Sequence, residues 1–226
     1  MAHANRMDAR EIPHEQRIDK IFERLRALKP REELELVAPH HPEPLLKKVL
    51  EAFPRQFDFS PVQKGPVTWR YLFRARPEPD PRNVNDYLAW DHDRLDQLME
   101  RATKQAQAGI WAEAAALAAE FKEGLFRHIE IEEQILFPAF EEKTGMRDMG
   151  PTAVMRHEHK DIKEAVNDIV AAANDKKLDE FERSKATLLG VLVEHNMKEE
   201  QILYPGIDRM LDQAAREKLT VTLLLN

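Results

Sequence analysis

The heptapeptide Glu132-Glu133-Gln134-Ile135-Leu136-Phe137-Pro138 returns, with one aromatic exchanged for another, as Glu199-Glu200-Gln201-Ile202-Leu203-Tyr204-Pro205. The offset of 67 residues also carries His128 to His195 and His92 to His159. Self-similarity at a fixed spacing marks an internal duplication. Six residues of metal-ligand type obey it: His92, His128, Glu132, His159, His195 and Glu199.

Spacing says how they could meet. His128/Glu132 and His195/Glu199 are i,i+4 pairs, so each projects from one helix face, about 6 Å apart along the axis. Each group also lies on an apolar stripe. One stripe runs Leu117, Phe121, Leu125, His128, Glu132, and another Leu188, Leu192, His195, Glu199, Ile202. Leu88, His92, Leu95, Met99 and Met155, His159, Ile162, Val166 form the remaining two. In all four, a polar residue stands where a core residue is expected. Breaks at Gly109, from Thr144-Gly145 to Gly150-Pro151, and at Asn174-Asp175 divide residues 83–212 into four helices. Short turns between them predict an up-down-up-down four-helix bundle. The midpoints of His92/His128 and His159/His195 fall beside the first and third breaks, which returns all six groups to one level.

A lone histidine on an apolar stripe is more often a hydrogen-bonded core residue than a ligand, and a single HxxxE arises by chance. Four core histidines with two core glutamates are different, because buried, unpaired carboxylates are costly and a cation removes that cost. Imidazole and carboxylate without thiolate suit iron, manganese or zinc, and carboxylates can bridge two ions. Six ligands exceed what one tetrahedral zinc takes, so a dinuclear site is expected. Asp91, Glu133, Glu158 and Glu200 adjoin these residues but point roughly 100° away. They read as mostly solvated, with one able to orient an imidazole. His157 lies off the stripe, and Trp90 and Trp111 read as packing residues.

Before the bundle, residues 1–74 alternate strand and helix signals. A first strand is expected to end at 10–12, followed by a helix over 15–29, a strand at 34–37 and a helix over 44–53. Segments 57–62 and 67–73 alternate in period two around Lys64-Gly65-Pro66, the pattern of a hairpin. The order βαβαββ predicts a small two-layer α/β domain. His40 and His41 sit between strand and helix, where binding groups occur, but a turn explains them equally. Prolines 77, 79 and 81 make residues 75–82 an extended linker, and Asn83 or Asn85 can cap the next helix. The expected organisation is an α+β two-domain chain: domain 1–74, linker 75–82, bundle 83–212 and an apolar tail 213–226.

The net charge is −7. Residues 1–80 carry +2 and the remainder −9. An acidic bundle without a basic stripe argues against nucleic acid and anionic membrane surfaces as partners. The absence of cysteine excludes disulfides, zinc–thiolate sites, cysteine-ligated clusters and thiol catalysis within this chain. Met1–Arg10 lacks the apolar stretch of a secretory signal, and no long apolar run occurs, so a cytoplasmic protein is expected.

Residues 83–212 resemble the hemerythrin-like HHE cation-binding family in Asp91-His92, His128-xxx-Glu132, Glu158-His159 and His195-xxx-Glu199. The resemblance implies a non-haem di-iron centre, with two oxo-bridged iron ions on the six residues; manganese or zinc would also suit the set. Oxygen-carrying hemerythrins place a fifth histidine one turn from the third-helix ligand and end in an aspartate. Here Met155 and Lys163 flank His159, and the last carboxylate is Glu199. The four-His, two-Glu set is closer to the iron-centre repair branch, which responds to nitric oxide and oxidative damage. Members of that branch have a cysteine-bearing N-terminal region that this chain lacks. The first domain resembles a small uncharacterised family often fused to hemerythrin domains, similar in fold to TusA-type sulfur carriers. The match lies in Asp8-Ala9-Arg10, Pro39 to Leu45 and Gly65 to Trp69. Sulfur transfer is not expected without the carrier cysteine.

Three functions follow. The first is binding or sensing of oxygen, nitric oxide or redox state, signalled to a protein partner through the first domain. The alternative is an iron donor for damaged iron centres or a peroxide-scavenging enzyme. Metal storage ranks last, because two ions per chain is little cargo. The apolar tail lacks a place in the bundle and is expected either to pack on the first domain or to mediate self-association into a homo-oligomer.

Overall fold

The computed structural model describes residues 5–147 and 149–226. The first four residues of the expected first domain, and Asp148 in the expected break before Pro151, lie outside the described residues. Two compact units emerge: one runs to Arg82 and takes in Thr220–Asn226, and the other is Asn83–Leu219. The chain is an α+β two-domain protein, a small four-stranded sheet domain followed by a helical bundle.

In the first unit, β1 (Arg6–Asp8), α1 (Arg17–Arg26), β2 (Glu33–Ala38), α2 (Glu43–Ala52), β3 (Phe57–Gln63) and β4 (Trp69–Ala75) follow the βαβαββ order. The sheet order is β1-β2-β4-β3, with β1 parallel to β2 and the other pairings antiparallel. Strand β1 lies earlier than the expected 10–12. The Asp8 carboxylate accepts from Arg10 N at 3.0 Å and caps a 3₁₀ turn over Ala9–Glu11, which ends extended pairing there. Leu25, Leu34, Leu46, Phe59, Leu72 and Phe73 are fully buried. Two buried acids on the strands are paired rather than solvated. Arg70 reaches Glu35 at 2.8 Å, and Asp58 takes Arg74 at 2.7 Å together with Arg82. The segment expected to be a tail is instead a helix, α9 (Gln213–Leu225), and its buried Leu223 and Leu224 belong to the first unit.

The second unit begins with α3 (Val84–Gln107), capped by Asn83 Oδ1 accepting from Asp86 N at 2.8 Å. It continues through α4 (Trp111–Ile131), α5 (Phe137–Thr144), α6 (Pro151–Asp175), α7 (Leu178–Lys198) and α8 (Tyr204–Met210). The expected breaks are where chain direction reverses: Gly109 and Gly145 have φ of 72° and 70°, which glycine adopts without a Cβ clash. The third break is closed by Lys176, also left-handed at φ 59°. Leu95, Phe121, Leu125, Ile162, Val166, Ile169 and Leu188 share one core.

The second and fourth rods are not simple helices. Glu132–Leu136 and Glu199–Leu203 are π-helical, with Phe137 N donating to Glu132 O and Tyr204 N to Glu199 O. Pro138 and Pro205 explain this. Each lacks an N–H, and its ring would strike the carbonyl four residues back, so the preceding turn widens to an i→i−5 bond. The extra residue changes the register beyond each glutamate. Ile202, expected on the core stripe, is 63% exposed, and Leu203 at 3% takes its place.

That exchange is measurable. Leu203→Ala should cost about 2–5 kcal/mol of unfolding free energy, and Ile202→Ala no more than about 0.5 kcal/mol. Urea denaturation of both variants checks the π register; equal losses would contradict it.

Among the described residues, no helix is long and apolar enough to cross a membrane.

Candidate metal centre

The six expected residues converge within the second unit. Helix α3 presents His92, α4 His128, α6 His159 and α7 His195, and the two π turns present Glu132 and Glu199. All are buried, with Glu132, His159 and Glu199 wholly so. Glu132, His159, His195 and Glu199 form one group whose ligand atoms lie within 4.8 Å of one another, and His92, His128 and Glu199 form a second. Glu199 belongs to both. Its Oε1 is 3.0 Å from His195 Nε2, and its Oε2 is 3.5 Å from His92 Nε2. Glu132 Oε2 lies 3.4 Å from His159 Nε2 and 3.8 Å from His128 Nε2.

The Nε2 atoms face inward because every Nδ1 is held by an acid. His92 Nδ1 meets Glu200 at 2.7 Å, His128 Nδ1 meets Asp91 at 3.0 Å, His159 Nδ1 meets Glu133 at 2.8 Å, and His195 Nδ1 meets Glu158 at 2.8 Å. A carboxylate only accepts, so Nδ1 keeps its proton and Nε2 is the atom left for a cation. These braces obey the duplication: Asp91 and Glu158 are repeat partners, as are Glu133 and Glu200. The sequence leads to the expectation that most of these acids are solvated and one orients an imidazole; all four orient one. Each does point away from its own helix's core stripe, but that direction leads to the imidazole on a neighbouring helix. Their place in the 67-residue repeat was the signal that could have found them.

Asp91 is the driest brace. Burial opposes its charge, but Arg94 at 2.9 Å, His128 and Arg127 outweigh that and hold the carboxyl well below the usual range. Gly124 makes room for this arrangement, since a Cβ there would come within 2.7 Å of Leu95 Cδ2 and 3.0 Å of Arg94 Nη2. Lys198 pairs with Glu158, and Lys163 approaches Glu133 at 4.0 Å.

Tyr204 also went unanticipated. Fully buried, it donates its hydroxyl to Glu132 Oε1 at 2.6 Å, and the Tyr204 Oη is itself 3.3 Å from His128 Nε2. Burial and the charges of Glu132 and Glu199 push its hydroxyl well above the ordinary tyrosine range, so it remains a donor. His157 is exposed and Trp90 packs against Tyr87, as expected. In the first unit, His40 lines a hollow of about 260 Å³ with Ile18, Ile21, Leu36 and Leu45. His41 contacts Tyr71 Oη at 3.2 Å and packs on Trp69. Neither belongs to a group of three or more possible ligands among the described residues.

The donor set fits metal cations. Glu132 Oε2, both Glu199 oxygens and His159 Nε2 are buried without a hydrogen-bond partner, although imidazoles stand close by. Atoms so placed cost stability unless a cation accepts their lone pairs.

Comparison with known proteins agrees with this chemistry. Residues 83–207 match the hemerythrin HHE cation binding domain, and residues 6–75 match an uncharacterized conserved protein family, DUF2249. The chain is 32% identical over 174 residues to the iron-sulfur cluster repair protein YtfE of Enterobacter sp. (strain 638), covering 71% of this chain and 79% of that protein. No solved structure matches.

Without a cation, protons must compensate the carboxylates. Burial disfavours charge on His92, but Glu199 and Glu200 overcome it and push the imidazole up from 6.5 to about 10. Burial likewise opposes ionisation of Glu199, yet His195 and His92 pull it well below its ordinary 4.5. The raised histidine stabilises fully below pH 6.5 and loses its contribution as pH climbs toward 10. The lowered glutamate contributes fully above pH 4.5 and loses its contribution at lower pH. The metal-free protein should therefore be most stable between about pH 4.5 and 6.5 and weaken steadily toward pH 10. Urea midpoints across that range test it, and a midpoint that rises from pH 7 to 10 would contradict the pairing.

Proposed function

The chain belongs to the hemerythrin HHE cation-binding family, and from that premise we propose that it holds two iron ions on His92, His128, Glu132, His159, His195 and Glu199 and supplies iron to damaged iron centres in the cytoplasm. The observation that carries the reading is the set of four acid-braced imidazoles turned toward partnerless buried carboxylate oxygens. Similarity to a protein named for iron–sulfur cluster repair favours this over the sensing role that the sequence ranks first. The cysteine-bearing N-terminal region of the repair branch has no counterpart in this chain, so the proposal rests on the six-residue centre alone.

Iron bound there would be both a redox-active ion and the cargo. The chain's own part is to bind it and let it go. The braces keep Nδ1 protonated and the rings aimed, so ligation needs no reorientation. His92 is prone to protonation when no cation is present, so a proton can take the place of a departing ion at Nε2. The same exchange makes iron uptake release protons and strengthen as pH rises.

The test is transfer. Iron-loaded protein should restore activity to an oxidant-damaged [4Fe–4S] dehydratase faster than an equal amount of free ferrous iron, and Glu199→Gln should abolish the difference. If the loaded protein instead binds oxygen or nitric oxide reversibly and restores nothing, the sensing reading takes its place. Brace variants supply an independent measure. Asp91→Asn and Glu200→Gln should each lower iron affinity about 10–100-fold, whereas His157→Ala should leave it unchanged; competition with a chelator reads all three.

A further inference from the structure

A hollow of about 260 Å³ lies within the first unit, where the turn after β1, helix α1, strand β2 and the start of α2 come together. Its lining is almost wholly apolar, built on Ile21 of α1, Leu36 and Ala38 of β2 and Leu45 of α2. Pro42 and Pro44 form part of the wall, where each ring fixes φ and offers no N–H. The Leu45 and Leu46 amides that follow both donate to Pro42 O, at 2.8 and 3.0 Å. The polar residues that line the hollow are all basic: His14, Arg17, His40 and Lys48, with no aspartate or glutamate among them. Arg17 Nε donates to Ile12 O at 2.8 Å, which anchors the guanidinium and leaves its terminal nitrogens for a ligand. His40 Nδ1 meets His41 O at 3.2 Å, which leaves Nε2. Among the described residues none of the four pairs with an acid, whereas Arg10, Lys47, Arg70 and Arg74 of the same unit each hold one.

We propose that this hollow binds a small organic acid, a monocarboxylate with an aliphatic or aromatic body. The body lies on the apolar lining, and the carboxylate meets Arg17 and Lys48 at the mouth. Long basic side chains lay their stems along apolar surface and keep their charged heads toward water, so an apolar lining and a basic mouth go together. Covering the lining removes it from water, a gain that an apolar body supplies and inorganic phosphate does not. An alcohol of the same shape would cover the lining but leave the cations at the mouth without a counter-charge, and an amine would be repelled. The guanidinium fork matches the two oxygens of a carboxylate. An apolar concavity with a few convergent polar groups is the form that small-molecule sites take. Residues 1–80 carry +2 while the rest of the chain carries −9, so the hollow lies in the part of the chain that favours an anion. No residue of the metal centre takes part, and binding here does not depend on iron.

Calorimetric titration of the full-length protein tests this, with hexanoate and phenylacetate as probes and hexan-1-ol and inorganic phosphate as controls. Each carboxylate should saturate at one per chain, and each control should bind at least about tenfold more weakly, the worth of one hydrogen bond to a charged group. Amide shifts in ¹H–¹⁵N spectra should centre on Ala9, Ala38 and Leu45, which line the hollow. Arg17→Gln and Lys48→Gln should each weaken hexanoate about tenfold and leave hexan-1-ol unchanged, a split that mere loss of structure would not give. Ile18→Trp, at a partly exposed lining position, should fill the space and abolish binding of both. Removal of bound metal should change none of these results. Hexan-1-ol binding as tightly as hexanoate would overturn the proposal, and so would phosphate binding as tightly, since charge alone would then explain the affinity. Hexanoate binding that vanishes with the metal would place the carboxylate on a cation in the bundle instead, and no saturable binding of either acid would leave the hollow without this role.

Discussion

Two fully buried carboxylates govern the second unit. Glu132 and Glu199 are fully buried among four imidazoles, and three of their four oxygens have no hydrogen-bond partner. Burying charge without compensation costs several kcal/mol per group, so everything nearby serves to supply positive charge or make room for it. The imidazoles face inward, acids behind them fix their orientation, and arginines and lysines stabilise the acids in turn. Asp91 shows the chain of dependence most clearly: it braces His128, is itself held by Arg94, and the Arg94 guanidinium lies where a side chain at Gly124 would crowd it.

The duplication makes this arrangement economical in sequence terms. A single helix pair encodes two histidines, a glutamate and two braces, and its copy supplies the other half by pseudo-symmetry. Each brace serves a neighbouring helix rather than its own, so neither copy is complete alone. The π turns belong to the same device. A proline six residues after each glutamate forces a wider turn, and the glutamate, the following leucine and the aromatic all face the interior. Where the copies differ, Phe137 stacks on His159 while Tyr204 donates a hydroxyl to Glu132.

The first unit is built on other principles. Its buried charges, Glu35 and Asp58, are neutralised by arginines on an adjacent strand and on the linker side. The last residues of the chain, Thr220–Asn226, are part of this unit, and Lys64 Nζ donates to the Asn226 carbonyl at 3.1 Å. An apolar segment that has no place in a heptad-like stripe finds its burial outside the bundle.

The sequence by itself determined the two-domain order, the four rods, the turns at Gly109 and Gly145, and the identity of the six converging residues. All of these follow from local spacing: a 3.6-residue period and a 67-residue repeat can be counted along the chain. What only the tertiary structure decided lies across helices. That Asp91 braces His128, and Glu200 His92, depends on which helices are neighbours and at what rotation, which no one-dimensional period contains. Ile202 was misplaced because periodicity assumes an unbroken α-helix, whereas Pro205 inserts a π turn and shifts the register by one residue. The apolar tail is a helix whose last residues belong to the first unit, one of the two placements its leucines allowed; the sequence shows the need for burial without choosing between them. That the Tyr204 hydroxyl reaches Glu132 is likewise a matter of which rods are neighbours, which its place in the repeat does not state.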